Sequence, residues 1–376
     1  MGWSFSAGRI FGIELRIHVT FVLLLFFIFL SEASHRGASA GLQSVLFISA
    51  VFLCVLIHEL GHSLIARRFG KATRSITLLP IGGMASLEEI PEKPGQEIAM
   101  SIVGPFINLA IAALLYLFIG AWPGFAGLDI HPGSAKAFFA ALIVVNVMLA
   151  AFNMIPAFPM DGGRVLRGIL ALRYDYVRAT SIAVSISHAL SLFFIFFGLL
   201  FFSSIWLALI GFFLYLGSGA ELQQVKVRSA LHGIRAQEAM ITDFSGLRPE
   251  EALSQVVERI YHGCQDDFPV MDETGLVGIL TRNRILSAIH EHGLEATVAE
   301  VMDREFLAVS PRTPLEEVAA KLMANRKTVA AVLDRDRFTG LISESSIGRH
   351  IALRAAIRET QQEPEPMGTK TPGFDV

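Results

Sequence analysis

The pentapeptide HELGH at positions 58–62 contains three side chains that can do chemistry within an otherwise apolar stretch of the chain. Four residues span slightly more than one helical turn, so a helix places His58 and His62 on the same face. Two imidazoles in that arrangement can bind one Zn²⁺, and Glu59 beside them can take a proton from an attacking water. The alternative is two hydrogen-bonded histidines and a glutamate that reaches the surface. The cost of burying three such groups favours the metal site.

A catalytic zinc takes a third protein ligand and keeps one position open. The best candidate is Asp161, in the segment FNMIPAFPMDGGRV (152–165). Pro156 and Pro159 cannot donate backbone hydrogen bonds, so the helix is expected to break there. A break at membrane depth is tolerated only where it faces protein or a wet cavity. Asp161 could alternatively cap the next helix, but the expected common level of Asp161 and His62 favours the ligand.

The composition indicates a membrane domain with a soluble part attached. Mean hydropathy is +0.54, and hydrophobic residues make up 53% of the chain against 17% for charged residues, which is the balance of such a protein. The net charge of −3 gives no reason to expect a nucleic-acid partner. A helix needs about 20 apolar residues to cross a bilayer. Six candidate spans lie at roughly 16–31, 43–66, 98–120, 136–156, 180–202 and 204–220.

Positive charges are distributed unevenly between the two ends of these spans. The alternate loops hold only Arg36 and Lys136 at or near them. The other side of the membrane receives Arg9, Arg16, Arg67, Arg68, Lys71, Arg74, Arg164, Arg167, Arg173, Arg178, Lys226, Arg228 and Arg235. Because cytoplasmic loops carry the excess of Lys and Arg, both termini are predicted to lie in the cytoplasm of a multi-pass cell-membrane protein.

An internal repeat follows residue 222, where the sequence becomes ordinary amphipathic α/β sequence. The segment VMDETGLVGILT (270–281) matches VLDRDRFTGLIS (332–343) at an offset of 62 residues. Each copy reads as helix, strand, turn, strand, helix, and two such units bury a shared face better than one alone. The predicted domains are a transmembrane domain (1–222), a linker (223–235), a first repeat (236–296), a second repeat (297–355) and a disordered tail (356–376).

Three motifs in the membrane part resemble the site-2 protease family (M50) of intramembrane zinc metalloproteases. They are HELGH in the second span, GPFINLA (104–110) in the third and NMIPAFPMDGG (153–163) at the fourth, and the resemblance covers roughly residues 1–220. It implies one zinc ion per chain, with ligands His58, His62 and Asp161, and Glu59 as general base. It also implies that Asn153 and Asn108 support the substrate or the tetrahedral intermediate. Asn108 could instead hydrogen-bond a neighbouring helix.

The segment ATRSITLLPIGGMASLEE (72–89) directly follows the helix that carries HELGH. Its residues 73–79 roughly alternate as a strand, which Pro80 and then Gly82 and Gly83 interrupt. In the family, similar sequence forms membrane-associated strands near the zinc, whose edge would hold an unwound substrate. An ordinary cytoplasmic hairpin is the open alternative.

The repeat resembles a tandem pair of cystathionine-β-synthase (CBS) domains, which commonly bind adenine nucleotides between the copies. Thr281 and Ser343, which end the strands GILT and GLIS, are the candidate nucleotide contacts. Nucleotide-binding copies often place Asp three residues later, whereas this chain has Arg284 and Ser346. The resemblance therefore implies the fold and leaves adenine nucleotide, ATP or AMP, as an open ligand. Thr281 and Ser343 could also simply cap helices.

The predicted architecture is a polytopic α-helical membrane domain of about six spans, with a short membrane-associated β segment, joined to a cytoplasmic α/β tandem CBS pair. The predicted function is a zinc metalloendopeptidase that cleaves single-span membrane proteins in the lipid bilayer and is regulated by the CBS pair. The alternative is a CBS-regulated divalent-metal transporter or channel, which should place polar ligands at several depths and has no use for Glu59. Both a monomer and a homo-oligomer are compatible with the sequence.

Overall fold

The computed structural model describes residues 3–80, 82–87, 93–120, 134–263, 265–335 and 337–362. The chain divides into two compact units, Met1–Val225 and Lys226–Val376.

Six helices in the described ranges are long and apolar enough to cross a membrane, which confirms the predicted number of spans. A short seventh helix, α5, follows the fourth span. The helices of this unit are α1 (Val19–Arg36), α2 (Ala38–Arg68), α3 (Pro94–Ile119), α4 (Ala135–Asn153), α5 (Asp161–Leu170), α6 (Tyr176–Leu200) and α7 (Ile205–Leu231).

The first span begins later than its predicted start at residue 16. Residues 13–18 form a strand, and α1 starts at Val19, where the His18 side chain caps the helix by accepting a hydrogen bond from the Thr20 amide. The last span ends later than predicted. Helix α7 continues to Leu231, so residues 223–231 of the predicted linker are helical.

Four strands of the described residues form one sheet in this unit, in the order β1-β2-β3-β4, with β2 and β3 parallel and the other pairs antiparallel. The strand predicted at residues 73–79 is present as β3, whereas the first two strands were not predicted. Buried Ile76 of β3 packs with Leu56 and Leu60 of α2, so the sheet lies against the helix that carries HELGH. The strands are β1 (Ser4–Ile10), β2 (Ile13–His18), β3 (Thr73–Leu79) and β4 (Gly82–Leu87).

The second unit contains the predicted repeat as two similar halves. The first half consists of α8 (Ala236–Ala239), α9 (Leu253–His262), β5 (Asp267–Asp272), β6 (Gly275–Thr281) and α10 (Arg282–His292). The second half consists of α11 (Val298–Val301), β7 (Leu307–Val309), α12 (Leu315–Asn325), β8 (Val329–Asp334), β9 (Arg337–Ser343) and α13 (Glu344–Gln362).

Backbone hydrogen bonds join the two halves at equivalent positions of the repeat. The Ile241 amide donates to the Leu341 carbonyl at 2.8 Å, and the Ile279 amide donates to the Asp303 carbonyl at 3.0 Å. Each half thus adds a short segment beside the last strand of the other half. This exchange explains why the halves bury a shared face and fold as one module.

The tail differs from its prediction over its first residues. Helix α13 continues to Gln362, so residues 356–362 are helical, and residues 363–376 lie outside the described residues.

Candidate active site

Three side chains from two distant parts of the chain converge at one point of the first unit. The Nε2 atoms of His58 and His62 lie 3.0 Å apart. The Oδ2 atom of Asp161 lies 3.2 Å from each of these nitrogens. Both histidines are buried and Asp161 is nearly so. The two imidazoles follow each other on one face of α2, as the spacing predicts, and α5 supplies the carboxylate.

The other nitrogen of each ring is held by helix α3. The Nδ1 atom of His62 lies 2.7 Å from the Met100 carbonyl oxygen, which can only accept, so this nitrogen carries the proton. The Nδ1 atom of His58 lies 3.2 Å from the Asn108 side-chain oxygen, with the same consequence. The Nε2 atom of each ring is then unprotonated, and its lone pair points toward the Asp161 carboxylate. Such outer hydrogen bonds fix the tautomer and the orientation of metal-binding histidines.

This donor set fits a divalent metal ion. Three acceptor atoms face one another with no proton between them, an arrangement that repels unless a cation lies among them. Zinc bonds of about 2.0–2.1 Å in a tetrahedral site place ligand atoms about 3.3 Å apart, close to the spacings of 3.0–3.2 Å found here. His58, His62 and Asp161 are therefore suited to hold Zn²⁺.

Asp161 is not the N-cap of helix α5, which was its alternative role. The N-cap of α5 is Met160, which makes no side-chain capping bond, and Asp161 is the first residue of the helix. Its carboxylate is directed to the two histidines instead.

Gly104 of α3 is a functional position that sequence reasoning missed. A Cβ atom at this position would lie 2.3 Å from Nε2 of His62 and 2.6 Å from Nε2 of His58. Only a glycine lets α3 approach the rings closely enough for Met100 and Asn108 to bind them. Gly104 begins the motif GPFINLA, in which only Asn108 was predicted as a site residue.

Glu59 lies beside the histidines and packs against the edge strand β4. A Cβ atom at Gly83 would lie 2.7 Å from the Glu59 Cγ atom, so the strand backbone and the glutamate stem are in direct contact. Both line a cavity of about 550 Å³, which also includes the three converging ligands. The structure brings the remaining predicted site residues of this unit to the same cavity: Gly82, Asn108 and Asn153.

Arg164 also lines this cavity and was not predicted. It lies one helical turn after Asp161 on α5, and among the described lining residues it carries the only permanent positive charge. A guanidinium here can stabilise negative charge that develops on a bound group.

The candidate nucleotide contacts lie in two clefts of the second unit. Thr281 lines a cleft of about 230 Å³, and Ser343 lines one of about 480 Å³. Each hydroxyl also accepts a hydrogen bond from a backbone amide three residues later, which is the capping role. The Ser343 cleft contains Asp243, Asp266 and Asp267, and burial raises the pKa of Asp267.

Comparisons with known proteins agree with both parts of this description. The profile of Peptidase family M50 matches residues 46–129 and 129–197, and that of the CBS domain matches residues 236–291 and 298–352. A zinc metalloprotease of Methanocaldococcus jannaschii is 33% identical over 353 residues, which cover 94% of this chain and 97% of that protein. A Synechocystis protein is 27% identical over 379 residues, which cover 95% of this chain and 97% of that protein.

Among solved structures, the site-2 protease from Methanocaldococcus jannaschii matches 58% of this chain and 95% of its own, with 33% identity and a TM-score of 0.43. The Methanocaldococcus jannaschii zinc metalloprotease, which matches nearly the full length of this chain, shows the family. It confirms the family predicted from the three membrane motifs. The chain belongs to Peptidase family M50, the site-2 protease family, and carries a pair of CBS domains after its membrane helices.

Proposed function

We propose that this protein is an intramembrane zinc metalloprotease that cleaves a peptide bond of single-span membrane proteins. The observation that carries the proposal is the convergence of His58, His62 and Asp161 beside Glu59, in a unit with six helices long and apolar enough to cross a membrane. These three residues would hold one zinc ion per chain, which would supply Lewis acidity for the scissile carbonyl and for the attacking water.

Glu59 carries the proton in this mechanism. Its carboxylate takes the proton of the attacking water and then returns it to the leaving amine, as general base and general acid. Its stem contacts the backbone of Gly83, and its side chain lines the cavity that contains the ligands.

Two further side chains are proposed to stabilise the negative charge of the tetrahedral intermediate. Asn153 and Arg164 line the cavity with the ligands, so their N–H groups are available to an oxyanion there. Asn108 receives a different role, because its oxygen pairs with Nδ1 of His58 and so orients that ligand.

The substrate must be unwound before it can be cut, because each amide of a membrane helix is already hydrogen-bonded within its own segment. The edge strand β4 provides a place for the unwound segment. Among the described strands it is paired on one side only, to β3, and its residues Gly82 to Ala85 line the cavity. Addition of the substrate as a further strand would hold it extended across the ligands.

We expect Gly83→Ala to reduce cleavage about 100-fold without loss of zinc. The added methyl would lie 2.7 Å from the Glu59 Cγ atom and must displace either the glutamate or the strand. A shift of about 1 Å in catalytic geometry costs about 100-fold in rate. Cleavage kinetics and zinc content of the purified protein measure the two effects separately.

Gly219→Ala in α7 is the matched control, because a methyl there meets no atom within 4 Å. Equal activity of Gly83→Ala and the control would remove β4 from the proposed substrate site.

The orientation in the membrane is part of the proposal. The excess of Lys and Arg at one end of the spans supports cytoplasmic termini, and it supports a cytoplasmic second unit for the same reason.

The CBS pair is proposed to regulate cleavage by binding an adenine nucleotide. Support comes from the Ser343 cleft, whose volume of about 480 Å³ lies in the range of small-molecule sites. The cleft is lined by three carboxylates, Asp243, Asp266 and Asp267, and by two arginines, Arg259 and Arg349. This balance disfavours a highly charged triphosphate, so AMP is the better ligand.

We expect AMP to bind more tightly than ATP when either is titrated calorimetrically into the purified full-length protein. Ser345→Trp should abolish the heat of AMP binding because this exposed residue lines the Ser343 cleft. Asn283→Trp, at the equivalent position of the other cleft, should leave it unchanged. No heat with either nucleotide would end the proposal of nucleotide regulation, and loss of binding in Asn283→Trp alone would move the site to the Thr281 cleft.

The transporter alternative receives no support from the part of the chain that the structure describes. The single group of metal-binding side chains found there lies at one level, whereas a transport route needs ligands at several depths.

A further inference from the structure

A buried ion network lies behind the metal ligands. Arg167 of α5 and Glu97 of α3 are both 0% exposed. The Arg167 Nε atom donates to Oε1 of Glu97 at 2.7 Å, and its Nη1 atom donates to Oε1 of Glu221 of α7 at 2.7 Å. One guanidinium thus joins three helices of the first unit.

The guanidinium is also enclosed by aromatic rings. Its Cζ atom lies 4.9 Å from the ring centres of both Phe158 and Tyr176. These cation–π contacts hold the plane of the guanidinium. Phe158 belongs to the irregular segment that precedes Asp161, so the same side chain braces this segment as well as α5.

The helices joined by Arg167 are those that determine where the ligands lie. Helix α5 begins with Asp161, and α3 holds both imidazoles through Met100 and Asn108. Glu97 precedes Met100 by three residues on α3. The Arg167–Glu97 pair therefore connects the helix of the third ligand to the helix that orients the first two.

Helix α7 supports the same segment from another side. A Cβ atom at Gly217 would lie 2.8 Å from Cδ of Pro159, so the helix backbone packs directly on the ring. Glu221 follows Gly217 by one helical turn and binds Arg167. Phe213, one turn before Gly217, lines the cavity that contains the ligands. One stripe of α7 thus contacts Pro159, binds Arg167 and lines the cavity.

A buried ion network adds little stability compared with apolar residues of the same size, so its presence here calls for another reason. The charged hydrogen bonds of a planar guanidinium are directional and restrict the geometry of its partners, whereas an apolar contact permits several arrangements. We propose that Arg167 is a positioning residue that fixes Asp161 at zinc-binding distance from His58 and His62, with Glu97 and Glu221 as its anchors. The inference rests on the proposed zinc site.

The test compares Arg167→Lys with the wild type and with Arg173→Lys. Lysine retains the charge but has a single ammonium group, which cannot bind two carboxylates in the geometry of the guanidinium. Arg173 is exposed and lies shortly after α5, so its replacement controls for the loss of a guanidinium. Zinc affinity is measured by competition with a chelator, and the ligand geometry by the visible absorption of the Co²⁺-loaded protein.

We expect Arg167→Lys to weaken zinc binding by about tenfold, the lower end of the range for groups that support metal ligands. Its cobalt absorption should change in position or intensity, and kcat should fall while KM remains unchanged. Arg173→Lys should match the wild type in every measurement. Glu221→Gln is the second variant if Arg167→Lys does not fold. It keeps a hydrogen-bond acceptor, which favours folding, but it removes the charge that anchors Arg167 and should therefore shift the cobalt absorption in the same way.

Unchanged zinc affinity and cobalt absorption in a folded variant, with only a lower thermal stability, would show that the network is merely structural and overturn the inference. A wild type that binds no zinc would instead overturn the proposed function, and the inference with it.

Discussion

Replacement of Glu59 by Gln is expected to lower kcat for a single-span substrate by a factor of about 100 to 10,000, the contribution of a general base. The amide has the size of the carboxylate, so its contact with Gly83 persists. It cannot accept the proton of the attacking water at neutral pH. The measurement is cleavage of the substrate in reconstituted vesicles, together with the zinc content of the same preparation.

His58→Phe distinguishes the loss of the base from the loss of the metal site. It removes one of the three converging ligand atoms, so both zinc and cleavage should be lost. Glu59→Gln should retain about one zinc per chain, because the three ligands are intact. A Glu59→Gln protein that cleaves at the wild-type rate would contradict the assignment of Glu59 as the base.

Gly104→Ala is expected to abolish both zinc binding and cleavage, although it changes no ligand. The new methyl would lie within 2.6 Å of ring atoms of both His58 and His62. Neither ring can retreat freely, because Met100 holds one and Asn108 holds the other. Either α3 moves away and releases both outer hydrogen bonds, or the rings turn away from Asp161.

Gly95→Ala, on the same helix, is the control for this substitution. A methyl at Gly95 meets no atom within 4 Å and should leave zinc content and cleavage unchanged. The comparison uses zinc analysis, cleavage kinetics and thermal unfolding. A folded Gly104→Ala protein with full zinc content would contradict the described approach of α3 to the rings.

Much of the architecture follows from local sequence. The number of spans is predictable because a helix must match the thickness of the hydrocarbon layer, and apolar runs of about 20 residues are visible one by one. The two-fold repeat is visible because both halves use the same pattern at a constant offset. The exact first residues of the spans are harder to predict from local sequence. The first span starts at Val19 because residues 13–18 pair as a strand with residues 73–79, far along the chain.

The sequence by itself determined the chemistry of this protein: two imidazoles on one face of a helix, a glutamate beside them, and an aspartate at a helix break. Helical periodicity and the cost of polar groups in lipid make these residues candidates for a metal site, and the resemblance of three motifs implies their roles. Only the tertiary structure decided what holds these groups. The approach of Gly104, the Met100 carbonyl and the Arg167 network are contacts between helices distant in sequence. Such contacts depend on side-chain packing in three dimensions, which no local pattern encodes.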